Sequence, residues 1–303
     1  MQLVSKLNNA DSEPNTHIEE IPLRPCWQQL IEGLPELGPV KLQAENEHVS
    51  FSFLCEPWQV RFNGNDSAIV FGNDVQIAIS LSKLHKATAK RNNDIWQQGH
   101  CVCISSCKHK ALCRIIPGDS SDWFSYYNLV TGLLALDQQS STPVLSTVGT
   151  DNKTLLNHAR RYGFNELANH ISDIAESLAD AHENSKAQAI DISLLGPFLE
   201  TLCDQNHAIK ITLANQAGVF SNTQSFYGLQ HKGSTLRLKN SANQLHIDLS
   251  NIFTVWVINK VSQFSQIRLC NANGEVVLIL EDASEHGYSP NGLWATLIRA
   301  LTD

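Results

Sequence analysis

Two groups of residues carry side chains able to do chemistry at telling spacings. The first is His100-Cys101-Val102-Cys103, followed by Cys107, His109 and Cys113. Thiolates and imidazoles bind zinc or iron–sulfur clusters. Cys101 and Cys103 are separated by one residue, not the two usual in zinc sites, so on a strand both lie on one face. A hairpin centred near Lys108 sets Cys103 opposite Cys113, as a redox pair or as two small buried hydrophobes. The second group is Lys153, His158, Arg160, Arg161 and Tyr162. Helical spacing puts His158 and Tyr162 on one apolar face with Leu155 and Ala159. Arg160 and Arg161 carry guanidinium groups that match carboxylates bidentately, or they form a solvated basic face. His231 follows Tyr227 in the Gly-containing stretch 226–233, which reads as an exposed hairpin loop, and His246 stands in a strand opposite Leu245 and Ile247. The sequence contains no nucleophile elbow, phosphate-binding Gly loop, His-Glu-x-x-His or kinase signature. Paired carboxylates at catalytic spacing are absent too, which argues against a hydrolase or nucleotide enzyme.

The elements that must position these residues are mostly strands. Period-2 apolar alternation marks Leu245-Ile247-Leu249 and Val255-Val257. Asn271-Ala272-Asn273-Gly274 is a hairpin turn whose Gly supplies positive φ. In the first half, Val40–Ala44, Val49–Phe53, Trp58–Phe62, Ala68–Phe71 and Val75–Ile79 read as strands, and Cys101–Ser105 with Ala111–Ile116 as a hairpin. Trp27, Leu30, Ile31 and Leu34 have helical spacing. Asp119–Asp122 is an N-cap signal for a helix from about Trp123 to Leu136. Residues 138–150 form a Ser/Thr/Gln-rich linker, and residues 155–182 read as connector helices. Leu194–Leu202 is a further helix.

Composition bounds the class. With 303 residues, 42% hydrophobic and 17% charged, the chain folds as one large or two ordinary domains. A net charge of −8 argues against a nucleic-acid partner. No run of about 18 apolar residues exists, so no membrane insertion is expected. The first twenty residues lack a signal-peptide pattern. The expected location is cytoplasmic, with the eight Cys reduced.

The halves repeat. Val40-Lys41-Leu42 matches Ile209-Lys210-Ile211 at one offset, as do Asn46 with Asn215 and Phe51 with Phe220. Val75–Ser80 matches Leu245–Ser250, and at the same shift Lys90 falls on Lys260. The expected architecture is α+β: a tandem repeat of two antiparallel-sheet-plus-helix units joined by a helical connector. The expected boundaries are a loose N-terminal arm (1–20), a first repeat (21–137), linker and connector helices (138–190) and a second repeat (191–303).

This order of motifs resembles the HemS/ChuS/PhuS-like haem-utilisation family, the hemin-degrading factors. The resemblance covers roughly residues 25–300. It lies in Leu34-Pro35-Glu36-Leu37-Gly38, in Leu155–Gly163 and in Ile252–Lys260 with Ser265–Leu280. It implies a cytoplasmic haem-binding protein of haem uptake and iron acquisition, either a carrier or a haem-degrading factor. Its expected partners are haem and a haem transporter or haem oxygenase, and a homodimer is compatible with it. An enzymatic role, if present, would be oxygenase-like haem degradation, although the reading leans away from an enzyme. The family's axial His position holds Lys153 here. A family Arg falls near Gly99 or His100, and Asn259 replaces a basic residue. The resemblance thus assigns haem as cofactor, His158 or Tyr162 as iron ligand, and Arg160, Arg161 or Lys153 as propionate partners. Two other readings stand beside it. One is a haem-free fold relative acting in interaction or regulation, favoured by Lys153. The other is a Cys/His metal-binding protein built on Cys101, Cys103, Cys107 and Cys113.

Overall fold

A computed structural model describes residues 18–92, 99–106, 111–135, 185–260, 265–283 and 292–302. The first half supplies β1 (Ile18–Leu23), β2 (Val40–Glu45), β3 (Val49–Cys55), β4 (Pro57–Asn63), β5 (Ser67–Gly72), β6 (Val75–Ser80), β7 (Lys86–Asn92), β8 (Cys101–Ser105) and β9 (Ala111–Pro117). The second supplies β10 (Ser185–Ile190), β11 (Ile209–Asn215), β12 (Gly218–Gln224), β13 (Gly228–Lys232), β14 (Thr235–Lys239), β15 (Gln244–Asp248), β16 (Thr254–Lys260), β17 (Gln266–Cys270) and β18 (Val276–Asp282). The helices are α1 (Trp27–Glu32), α2 (Trp123–Gly132), α3 (Leu195–Asp204) and α4 (Leu293–Thr302). The fold is α+β, as its alternating patterns predict.

Two nine-stranded antiparallel sheets result. Sheet A runs β1-β7-β8-β9-β2-β3-β15-β14-β13, and sheet B runs β10-β16-β17-β18-β11-β12-β6-β5-β4. The two orders are the same pattern with the halves exchanged. Each half builds six strands of one sheet and lends three to the other. The seams are the β3–β15 and β12–β6 pairings. At the second seam a Cβ on Gly218 would lie 1.9 Å from the Ala78 carbonyl oxygen, so only glycine permits that approach.

The matched residues Asn46 and Asn215 join the sheets. Asn46 Oδ1 accepts from the His48 and Val49 amides, closing its own turn. Its Nδ2 donates to the Ala214 and Val277 carbonyls of sheet B. Asn215 does the reciprocal, accepting from Ala217 and Gly218 and donating to the Glu45 and Leu112 carbonyls of sheet A.

One face of each sheet points inward. Leu42, Phe51, Val102 and Ile115 from sheet A and Ile211, Phe220, Val257, Ile267 and Leu280 from sheet B enter one continuous apolar core with all four helices. The α2 N-terminus is capped by Asp122, which accepts from the Phe124 and Ser125 amides. These bonds hold its carboxyl below its ordinary pKa. In α4, Trp294 is fully buried, its Nε1 donating to the Ser265 carbonyl.

Several expectations change. The first strand begins at Ile18, inside the stretch read as a loose arm. Residues 86–92, polar and unassigned by pattern, form β7, whose Ala87 and Ala89 face the core. The stretch 226–233 is no hairpin loop: most of it is edge strand β13 paired to β14. The β8–β9 ladder shifts register between Ile104 and Ser105, so Cys103 faces Arg114 and Cys113 faces Ile104. Following the ladders, Val102 stands level with Ile267 and Ala89 with Val257. Lys90 is therefore level with Ile258, not with Lys260.

Candidate functional site

The sequence-derived site residues Lys153, His158, Arg160, Arg161 and Tyr162 lie outside the described residues, as do Cys107 and His109. The site is therefore built from the outer sheet faces. Alternation puts Thr254, Trp256 and Ile258 of β16, Gln266, Arg268 and Cys270 of β17, Ile279 and Glu281 of β18, and Lys210 and Thr212 of β11 on the outer face of sheet B.

That face is buried. Arg268 is only 7% exposed, and Gln266, Cys270, Ile279 and Thr212 are buried with it. A buried guanidinium must be hydrogen-bonded or its desolvation goes uncompensated. Arg268 Nε and an Nη both donate to Gln266 Oε1, the latter at 2.9 Å. Gln266 Nε2 in turn donates to Glu281 Oε1 at 2.6 Å. Lys210 Nζ stands 3.9 Å from the other carboxylate oxygen of Glu281. Three strands thus carry a polar relay, Arg268–Gln266–Glu281–Lys210, framed by Trp256, Ile258, Ile279 and Cys270. Burial raises the Cys270 thiol pKa, keeping it protonated. Trp256 Nε1 donates to Thr254 Oγ1 at 3.1 Å, which fixes the ring against the sheet. Chemically, the face sets apolar area around a held cation, the combination that receives an amphipathic anion once the face is uncovered.

The described histidines lie elsewhere. His100 is buried, its ring edge-on to Trp123 and Tyr127 of α2 at 5.6 and 6.1 Å. His207 Nε2 is 2.9 Å from Asp282 Oδ1, and its ring stacks on Trp294. His231 and His246 are exposed. Asn259 accepts from Ser265 Oγ at 2.6 Å. Among the described residues, no group of three or more His, Cys, Asp and Glu side chains is placed to hold a metal ion. No helix among them is long and apolar enough to cross a membrane.

The relay was missed in the sequence. Its residues gave no signal there, because Gln266 and Arg268 alternate with Ile267 and Leu269 and read as the polar positions of an ordinary half-buried strand.

No family model matches the sequence, and no curated protein does. Solved structures do. Holo-PhuS, a haem-binding protein from Pseudomonas aeruginosa, is 19% identical with TM-score 0.71, over 93% of this chain and 87% of that one. The Escherichia coli O157:H7 haem-degrading enzyme ChuS is 16% identical with TM-score 0.72, over the same shares. A further structure of ChuS, described as an E. coli haem oxygenase, gives 15% and 0.68, over 94% and 89%. The chain has their fold. The α+β architecture of antiparallel sheets and helices implied by its resemblance to the hemin-degrading factors is the one observed, and the expected connector helices of 155–182 lie outside the described residues.

Proposed function

We propose that this chain binds haem and acts as a cytoplasmic carrier in haem uptake and iron acquisition. The observation that carries the reading is the likeness in fold, over 93% of the chain, to the haem-binding PhuS and the haem-degrading ChuS. The outer face of sheet B fits the ligand. A haem needs a flat apolar wall, cations for its propionates and an axial ligand. Trp256, Ile258, Ile279 and Cys270 supply the wall, and Arg268 and Lys210 the cations. Among the described residues this face bears no His, Tyr or Met. The axial ligand of this reading is His158 or Tyr162 of the connector, with Arg160, Arg161 and Lys153 as further propionate partners. Haem, when bound, supplies the iron and the macrocycle, and the chain's own residues orient them and exclude water. A haem transporter and a haem oxygenase are the partners a carrier would stand between. The exchange of equivalent strands supports reading 21–137 and 191–303 as duplicated units around a connector.

Titration of the purified protein with hemin tests this. A saturable Soret shift at one equivalent is expected, lost in the His158→Ala/Tyr162→Ala double variant. No saturable shift in the parent protein overturns the reading. Loss of the Soret band with iron release, when a reductant is added in air, would make the protein a haem degrader instead of a carrier.

A further inference from the structure

A second cluster of reactive side chains lies on the outer face of sheet A. Cys101 and Cys103 are alternate residues of β8 and point the same way, with their sulfurs 3.5 Å apart. Lys90 of β7 stands opposite Cys101, and Arg114 of β9 opposite Cys103. Each cation is tied to a carboxylate, Lys90 to Glu20 at 2.6 Å and Arg114 to Glu45 at 3.3 Å. Their charges are thus largely balanced, and they steady a thiolate without barring a bound cation. A hydrogen bond joins the two sulfurs. That bond holds the Cys101 thiol above its ordinary pKa and, helped by Lys90 and Arg114, draws Cys103 down to about 7. Cys113, on the neighbouring strand, points into the core and takes no part.

We propose that Cys101 and Cys103 form a two-sulfur chelate for a thiophilic cation of the zinc and cadmium class. Geometry separates this from the other uses of a thiol pair. At a metal–sulfur length of about 2.3 Å, sulfurs 3.5 Å apart subtend about 100° at the ion, close to tetrahedral. A linear two-coordinate ion would need sulfurs about 4.6 Å apart at that bond length. A direct disulfide fits worse, because alternate Cα atoms of a strand lie about 6.7 Å apart, at the upper end of the range of about 4.4–6.8 Å that disulfides span. Both sulfurs bind as thiolates, and their protons go to solvent. The remaining coordination positions fall to water or a small exogenous ligand. Cys101 is half-buried and Cys103 only 4% exposed, so the ion enters past Cys101. The site lies on the opposite sheet from Arg268 and does not depend on haem.

Cadmium titration of the reduced, chelator-stripped full chain tests the proposal, read by sulfur-to-cadmium charge-transfer absorption. One saturating equivalent is expected, with two thiols protected from alkylation. Cys101→Ser and Cys103→Ser should each weaken binding at least tenfold with an unchanged circular dichroism spectrum, whereas Cys26→Ser should match the parent. Serine variants that bind Cd2+ as tightly as the parent overturn the chelate. Hemin titrations should be identical in the parent and in both serine variants. A changed titration would make the cysteines part of a haem site and overturn the separate one.

Discussion

The outer faces of the two sheets occupy equivalent places and carry different chemistry. Where sheet B has Gln266 and Arg268, sheet A has Cys101 and Cys103. Where sheet B has Trp256 and Ile258, sheet A has Thr88 and Lys90. Lys41 and Lys210 are the same residue in both. The inward faces differ far less: Leu42, Ile115 and Val102 stand level with Ile211, Leu280 and Ile267. The inward positions admit only apolar side chains that fit the shared core, while the outward positions differ between the sheets in both size and polarity. The two-sheet frame is therefore a shared scaffold, and each outer face is a separate surface on which chemistry is set.

If the frame is shared, its joints should fail alike. Asn46→Ala and Asn215→Ala each remove a turn closure and two bonds into the opposite sheet. Each should cost about 3 kcal/mol, measured by urea unfolding, and the double variant should lose less than the sum if the joint acts as one unit. A loss confined to one asparagine would break the equivalence of the two joints. If the faces are distinct, their cations should not be interchangeable in effect. Arg268→Met should lower hemin affinity about 30-fold, or about 2 kcal/mol, while Arg114→Met should leave it unchanged.

The thiols give a pH signature that also separates the faces. Cys103 titrates near 7, below the ordinary thiol value of about 9. Between those values the unfolded chain binds the extra proton, so folding stability from this group rises with pH from about 7 to 9. Cys55 and Cys113 are raised to about 12 by burial. Above about 9 the unfolded chain ionises first, so stability should then fall. Unfolding under reducing conditions across pH 6–10 checks both limbs, and Cys103→Ser should abolish the rising limb alone. Alkylation of the Cys101–Cys103 pair should climb in rate through pH 7 and spare Cys270 on sheet B, whose thiol burial raises. The smallest effect belongs to the half-exposed Lys90–Glu20 pair. Glu20→Gln should cost under about 1 kcal/mol and vanish in high salt.

Much of the frame was legible because alternation is strong in strands such as Val40–Glu45 and Val255-Trp256-Val257. It failed where the signal is physically thin. In β7 the inward residues are Ala87 and Ala89, small and poor strand formers, so the pattern reads as polar. Strand β13 lies at a sheet edge with its residues largely exposed, and exposure removes the apolar period that marks a strand. Partner choice is not local, so nothing in Val75–Ile79 announces that it pairs with Val219 and Phe220. A register shift near Ser105 defeated counting from the turn and misplaced Cys103 opposite Cys113. The fold and the shared strand face of Cys101 and Cys103 were thus readable, while the outward direction of that face and the Arg268 relay depend on how three strands lie side by side.

The exchange of three strands has a consequence for the integrity of the chain. Separating residues 18–135 from residues 185–302 would mean unzipping both the β3–β15 and the β12–β6 ladders and opening the shared core. A polypeptide cut once between Ala135 and Ser185 should therefore remain one particle on a sizing column. The same fragments made separately would each expose unpaired strand edges, and should be recovered in native form only when co-expressed.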